Sequence, residues 1–451
     1  MKTPLLPSLL AAVLIGCDQP AQPNPPRPRA AFSLVIGVSV TDLGLLPGDA
    51  AGTAVAINDR GEVVGFSARE SFVGERHAFL RTAQAGMRSL GTLGGASSQA
   101  TDINELGQVV GFSQTESGEN HAFLWTADAG FTDLGTLGWQ SFAVGVNNLG
   151  QVVGFSYLVP GQFRPAHAFV WTREGGMVDI GTLGGTLGIA SGVNDLGQVV
   201  GSASPGQDGP SHAFLWTEAV GMADLGTLGG DFSRANRINN FGQVVGGSRV
   251  TSEQLALHAF LWTGEAGMVD LGTLGGDASE AIGVNDFGMV VGGSALVTGQ
   301  TSPQHAFLWT EAGGLEDLGT LGGDFAQAAD VNDRGQVVGL STPPGSTVLH
   351  PTLWTLTFSA PPPAALVSQV VTGVSNLAAA GALNSGEADA LLAKLEAVTR
   401  QLDRGNPTAA ANLLQAFINQ VMASVNAGLL APTVGQSLID AAQDAINQLR
   451  T

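Results

Sequence analysis

The chain has 451 residues, 44% of them hydrophobic and 12% charged, with a formal net charge of −20. That is enough apolar material for two or three packed domains, and the negative charge excludes nucleic acid and anionic bilayer surfaces as partners. Sixty-four glycines without a Gly-X-Y period point to many tight turns rather than to collagen, and the single cysteine excludes an internal disulfide.

At the amino terminus Lys2 precedes an apolar run from Pro4 to Ile15, the charged start and hydrophobic middle of an export signal. Small Gly16 then precedes Cys17. The stretch Leu14-Ile15-Gly16-Cys17 resembles the lipobox of bacterial lipoproteins. The resemblance implies removal of residues 1–16 and lipidation of the Cys17 thiol and new amino terminus; an ordinary signal peptide or a buried thiol is the alternative. Several acyl chains anchor a protein without a spanning helix, so the membrane would be met through the lipid alone. Asp18 resembles the inner-membrane retention signal of some enteric bacteria. Residues 18–30, with five prolines, read as a polyproline tether of roughly 40 Å at about 3.1 Å per residue. Lipidated cysteine and tether together occupy 17–32.

From 33 to 358 the chain repeats itself with a period of 43 to 47 residues. Each unit holds four short segments, as in "ASEAIGVN", "GQVVGGS", "HAFLWT" and "MVDLGTL", rich in Val, Phe, Trp and Thr and too short for helices. Four strands per repeat and seven repeats predict a mainly β fold, a seven-bladed β-propeller. Between the first two segments stands a stereotyped turn, "NDRG" or "NNLG", whose Asn binds the backbone and whose Gly takes the left-handed conformation. Its asparagines are Asn58, Asn104, Asn147, Asn194, Asn239, Asn285 and Asn332. The array starts on a fourth segment, residues 40–46, and stops on a third, residues 350–355. Each end supplies what the other lacks, which predicts that the amino-terminal strand completes the seventh blade and closes the ring. The unit resembles the HAF repeat of bacterial extracellular proteins, seen at His121-Ala122-Phe123 and His305-Ala306-Phe307. The resemblance implies an exported repeat protein, without a common activity.

All seven histidines occupy one phase of the repeat, on the third strand from the axis, too far apart to share a metal. They are expected to bond within their own blades, and the repeated tryptophans to fill the space between sheets. Recurring carboxylates such as Asp224, Asp270 and Asp317 read as exposed strand positions. No nucleophile elbow, metal-spaced Cys/His set or phosphate loop is present, so no catalytic residue, cofactor or metal is assigned.

Off-template side chains are the better guide to a ligand. The loops between second and third strands vary most, and they share a face with the blade-to-blade connections. There Trp139 replaces a repeat glycine, and Tyr157, Phe163 and Arg164 follow in the next loop. These four predict an aromatic, partly cationic patch for a glycan or a protein segment; local repacking of loops is the alternative.

A proline-rich linker at 359–363 introduces a helical region, 364–451. Its first helix is uncharged but amphipathic, with Leu366, Val367, Val370, Val371 and Val374 on one face. Asn384 with Glu387, and Thr433 with Gln436, read as capping boxes. Four helices in two echoing halves, with "LLQAFINQV" in the third, resemble the FIMAH domain at the ends of exported bacterial proteins. That resemblance implies an adhesion or docking accessory; a stability cap or oligomerisation bundle is the alternative. The whole sequence reads as a surface-anchored extracellular lipoprotein, a non-catalytic scaffold binding a protein or polysaccharide. A propeller-type glycan hydrolase or lyase, and a structural envelope protein assembling through its helical tail, are the other readings.

Overall fold

The computed structural model describes residues 35–69, 74–207, 209–253, 255–299, 304–358, 363–379, 383–430 and 432–450. The export signal, Cys17, the tether and linker residues 359–362 lie outside the described residues. The chain divides into two compact units, one spanning Phe32–Pro361 and the other holding Pro362–Thr451.

Seven four-stranded antiparallel sheets build the first unit, the predicted β-propeller. In blade 1 the strands Ala51–Ile57, Val63–Ala68, Arg76–Thr82 and Gly86–Ser89 run in order from the inner to the outer edge. Blades 2 to 6 repeat that order. Blade 7 is composite. Ala326–Val331, Gln336–Ser341 and His350–Phe358 form its inner three strands, and Val35–Asp42, from the other end of the array, forms the outer one. Val40 faces Trp354, Thr41 faces Leu353 and Asp42 faces Thr352. The inner strand of blade 7 also packs on that of blade 1, so the ring closes as the two ends of the array predict. Closure leaves only short outer edges to solvent.

The repeated Val-Val-Gly has a steric cause. Each inner strand bulges near its carboxy end, as between Ala143 and Gly145 or Ala235 and Arg237. The bulge drives a carbonyl at the second strand: a Cβ on Gly154 would sit 1.9 Å from the Phe142 oxygen, and one on Gly246 1.9 Å from the Arg234 oxygen. Only glycine lets the two strands close there.

The Phe of each HAF triplet, at 79, 123, 169, 214, 260 and 307, is fully buried. Each contributes about 2 to 3 kcal/mol of apolar transfer. Blade 7 has Thr352 at that position and instead buries Trp354 completely, its indole N–H donating to the Gly319 carbonyl at 3.2 Å. Trp171 packs against Val110 and Leu124 of the preceding blade, between sheets as expected.

The second unit is four helices: α1 (Pro363–Ala379), α2 (Ser385–Asp403), α3 (Pro407–Asn426) and α4 (Pro432–Leu449). Each packs on its sequence neighbours, and α1 packs on α4. Their shared core includes Val370, Leu391, Leu395, Leu414, Phe417 and Ile446. Asn384 caps α2, its Oδ1 accepting from the Glu387 N–H at 3.0 Å while Glu387 accepts from its Nδ2 at 2.8 Å. Helix α4 opens at Pro432, which places Thr433 inside the first turn rather than at the cap. Among the described residues no helix is long and apolar enough to cross a membrane.

Candidate functional site

The inner turns form two closed rings of hydrogen bonds around the propeller axis. Asn58 shows the unit: its Oδ1 accepts from the N–H groups of Arg60 and Glu62, at 3.1 and 3.0 Å. Its Nδ2 donates to the Glu62 carboxylate at 2.7 Å and to the Asn104 carbonyl of the next blade at 3.1 Å. The same inter-blade bond recurs from Asn104 to Asn147, and on through Asn194, Asn239, Asn285 and Asn332 back to Asn58. A second ring follows one residue later. The Asp59 N–H donates to Glu105, Glu105 to Asn148, Asn148 to Asp195, and the series returns through Asp333 to Asp59. Turn chemistry accounts for three of the four bonds of Asn58; the fourth ties neighbouring blades, which the sequence reading missed.

These turns frame a cavity of about 220 Å³ on the axis. Its mouth carries Asp59, Glu105, Asp195, Asp286 and Asp333, its wall β-branched side chains such as Ile57 and Val146, and deeper within it lie Arg237, Asp102 and Asp330. Burial raises the Glu105 pKa, the Asp59 and Glu62 charges add to that, and the Asp59 N–H and Arg60 oppose it. Arg237 reaches from blade 5 to Asp102 of blade 2 at 3.1 Å and Asp330 of blade 7 at 3.4 Å. Asp102 also accepts the Val146 N–H at 2.9 Å and Asp330 the Ile57 N–H at 3.0 Å. Burial opposes the Arg237 charge, but the two carboxylates outweigh it and hold its pKa above the ordinary value. Burial pushes Asp330 up to about 6; Arg237 resists this and Asp102 adds to it. The signal was present in the sequence. The position two before the turn asparagine reads Ala56, Asp102, Gly145, Gly192, Arg237, Gly283 and Asp330, and only the three charged residues depart from small ones.

The histidines bond within the propeller, each to one aspartate. His121, His167, His212, His258 and His305 meet Asp133, Asp179, Asp224, Asp270 and Asp317 of the adjoining outer strand at 2.8 Å. The recurring aspartates are thus clamps rather than merely exposed positions, and each also accepts an N–H from the glycine two residues on, as Asp224 does from Gly226 at 2.8 Å. Blade 1 has Ser89 in place of the aspartate, and His77 instead meets the buried Asp49 at 3.1 Å. His350 meets Asp42 of the closing strand at 2.7 Å. Among the described residues no group of three or more His, Cys, Asp or Glu is placed to hold a metal ion.

On the opposite face, where blades connect, the structure brings three of the four sequence-predicted residues together. Ring centroids lie 6.2 Å apart for Trp139 and Tyr157, 6.5 Å for Trp139 and Phe163, and 5.4 Å for Tyr157 and Phe163. The Trp139 main-chain N–H donates to the Tyr157 carbonyl at 2.8 Å, tying the blade-to-blade connection to the end of the strand Val152–Tyr157, where Tyr157 stands rather than in the loop. The cluster continues inward: Tyr157 meets Phe142 and Phe155, which stack at 4.9 Å, and Phe142 meets Phe112 of blade 2 at 4.9 Å. The sequence reading missed these inner rings because they sit on strands. Phe163 is 71% exposed, Trp139 and Tyr157 are half-buried, and burial raises the Tyr157 pKa. Arg164 is exposed beside Phe163.

No curated protein matches the chain. Among solved structures it is similar to TolB from Acinetobacter baumannii, at 12% identity and a TM-score of 0.37, over 49% of this chain and 53% of that one. It thus spans about half the length of that structure. It is also similar to a gluconolactonase from Xanthomonas campestris, at 10% identity and a TM-score of 0.40, over 75% of this chain and 99% of that one. Residues 367–447 match the FIMAH domain. The chain therefore joins a seven-bladed β-propeller to a carboxy-terminal region that matches the FIMAH domain.

Proposed function

We propose that the chain is an exported lipoprotein, held to the cell envelope by lipid on Cys17, whose propeller is a non-catalytic scaffold for an extracellular ligand. The observation that carries the reading is the aromatic assembly of Trp139, Tyr157 and Phe163, backed by Phe142, Phe155 and Phe112. Rings backed by rings are rigid, and half-exposed faces with an exposed cation beside them suit the apolar faces and hydroxyls of sugars. A polysaccharide is the favoured ligand, with an extended protein segment second. The HAF-type repeats and the FIMAH region agree with a place outside the cell, the latter as a docking accessory or as the assembly element of a structural envelope protein.

One observation favours the hydrolase or lyase reading: Asp102 and Asp330 converge, and the Asp330 pKa is raised to about 6. Both carboxylates are buried, share one guanidinium and accept a main-chain N–H. Paired in this way they fasten three blades together and offer a substrate little.

The test is a glycan array probed with the lipid-free chain, alongside a turnover assay on every retained glycan. Retention without turnover, lost in the Trp139→Ala/Phe163→Ala variant, supports the scaffold. Turnover that vanishes in Asp102→Asn would replace it with the enzyme.

A further inference from the structure

The inner-turn face carries a surface that the aromatic patch does not involve. Round the ring the third residue of each turn reads Arg60, Leu106, Leu149, Leu196, Phe241, Phe287 and Arg334, all exposed except the half-buried Phe241. Leu106, Leu149, Leu196 and Phe287 are 64%, 69%, 55% and 39% exposed. The turn itself does not ask for an apolar residue here, since Arg60 and Arg334 occupy the same position on the same backbone. Single exposed leucines are ordinary, but four exposed apolar residues, with the half-buried Phe241 between the third and the fourth, follow one another round five consecutive blades and form an arc of the kind that marks an interaction surface.

The arc borders the acid-rimmed cavity. Asp59, Glu105, Asp195, Asp286 and Asp333 stand one residue before the outward positions and line the mouth. Within, Arg237 is outnumbered two to one by Asp102 and Asp330. With Arg237 neutralised by its two partners, the rim carboxylates leave the concave site an excess of negative charge, which focuses its field on an incoming positive one. The β-branched wall suits the methylene stem of a lysine or arginine, whose charged tip then lies among carboxylates.

We propose that this face docks a protein segment in which one lysine or arginine stands between apolar residues. The basic side chain enters the cavity and the apolar flanks lie on Leu106, Leu149, Leu196 and Phe287. Charge complementarity selects this occupant over a second copy of the chain, whose own excess is acidic, with 38 Asp and Glu against 18 Lys and Arg. The proposal stands apart from the glycan reading, because the two sites occupy opposite ends of the strands.

The test selects peptides from a random displayed twelve-residue library on the full-length lipid-free chain, then measures the affinity of the best by fluorescence anisotropy. The expected winners carry Lys or Arg flanked by apolar residues, and their affinity falls with added salt. Two variants divide the contributions. Asp59→Asn/Glu105→Gln/Asp333→Asn keeps a carbonyl acceptor for the ring N–H groups, and Asn148 and Asn240 already fill that position naturally. Leu106→Ser/Leu149→Ser/Leu196→Ser changes only exposed side chains. Each should weaken binding at least about tenfold, with melting temperatures close to the parent's. Winners without a basic residue, or affinities unchanged in either variant, would overturn the proposal. So would a dimer of the parent chain that the leucine variant alone dissolves.

Discussion

The side-chain amide of Asn332 donates to the main-chain carbonyl of Asn58 at 3.0 Å across 274 positions of sequence. That bond turns a row of seven turns into a ring in which each blade holds the next. Asn194 makes every bond of the unit, including one from Nδ2 to Gln198 at 2.8 Å, whereas Asn285 has Met289 in place of that partner. Asn194→Ala is expected to cost about 2 to 3 kcal/mol and Asn285→Ala about 1 kcal/mol less, read from urea unfolding. Equal losses would mean that the side-chain bond along the turn contributes nothing.

Asp42 joins the closing strand to blade 7 through His350, at 2.7 Å, and also accepts the Gly44 N–H at 2.8 Å. Asp42→Ala is expected to raise hydrogen exchange across Val35–Asp42, where the ring is covalently open. Asp224→Ala removes the equivalent contacts from a blade continuous in sequence, and should leave exchange in Val35–Asp42 unchanged.

The Arg237 cluster makes stability depend on pH. A carboxyl whose folded pKa is raised, as for Asp330 at about 6 against an ordinary 3.8, destabilises the fold when ionised. Its penalty is present above pH 6 and is relieved as pH falls toward 4, a change of about 3 kcal/mol at most. Asp330→Asn keeps an oxygen to accept the Ile57 N–H. It should unfold at pH 7.5 no more readily than the parent, and its stability should change less between pH 4 and 7. Arg237→Met strands two buried carboxylates and should cost about 3 to 5 kcal/mol at pH 7.5, less at pH 5. Urea midpoints across pH check both.

The helical unit has its own core, drawn from α1 to α4 and from Leu383 and Leu430 in the connections between them. A chain ending at Phe358 is therefore expected to melt in one cooperative transition with the β-rich circular dichroism of the parent. Loss of that transition would show that the propeller depends on the helices.

Much of the fold could be read from the sequence because repetition separates signal from noise. Seven versions of one turn fixed the strand boundaries, and a fourth segment at one end with a third at the other announced the composite blade. What escaped were contacts between repeats. The Asn58 amide reaching Asn104, and Arg237 meeting Asp102 and Asp330, need the blades set around an axis before their partners are visible. The histidine clamp was half read: its partner lies twelve residues on in five blades, yet His77 turns to Asp49 because Ser89 stands at the aspartate position, and His350 to Asp42 because the closing strand comes from the other end. Trp139, Tyr157 and Phe163 could be picked out because they break the template, although Tyr157 closes the strand Val152–Tyr157 rather than lying in the loop, while Phe142 and Phe155 escaped because strand phenylalanines look like core.

The most direct measurement is a calorimetric titration of the chain with the glycan it retains, repeated on Trp139→Ala, Phe163→Ala and Val269→Ala, the last an exposed strand residue remote from the rings. The scaffold reading expects each aromatic substitution to weaken binding by about 1 to 3 kcal/mol with an unchanged melting temperature, and Val269→Ala to bind as the parent does. Undiminished affinity in both aromatic variants would contradict it.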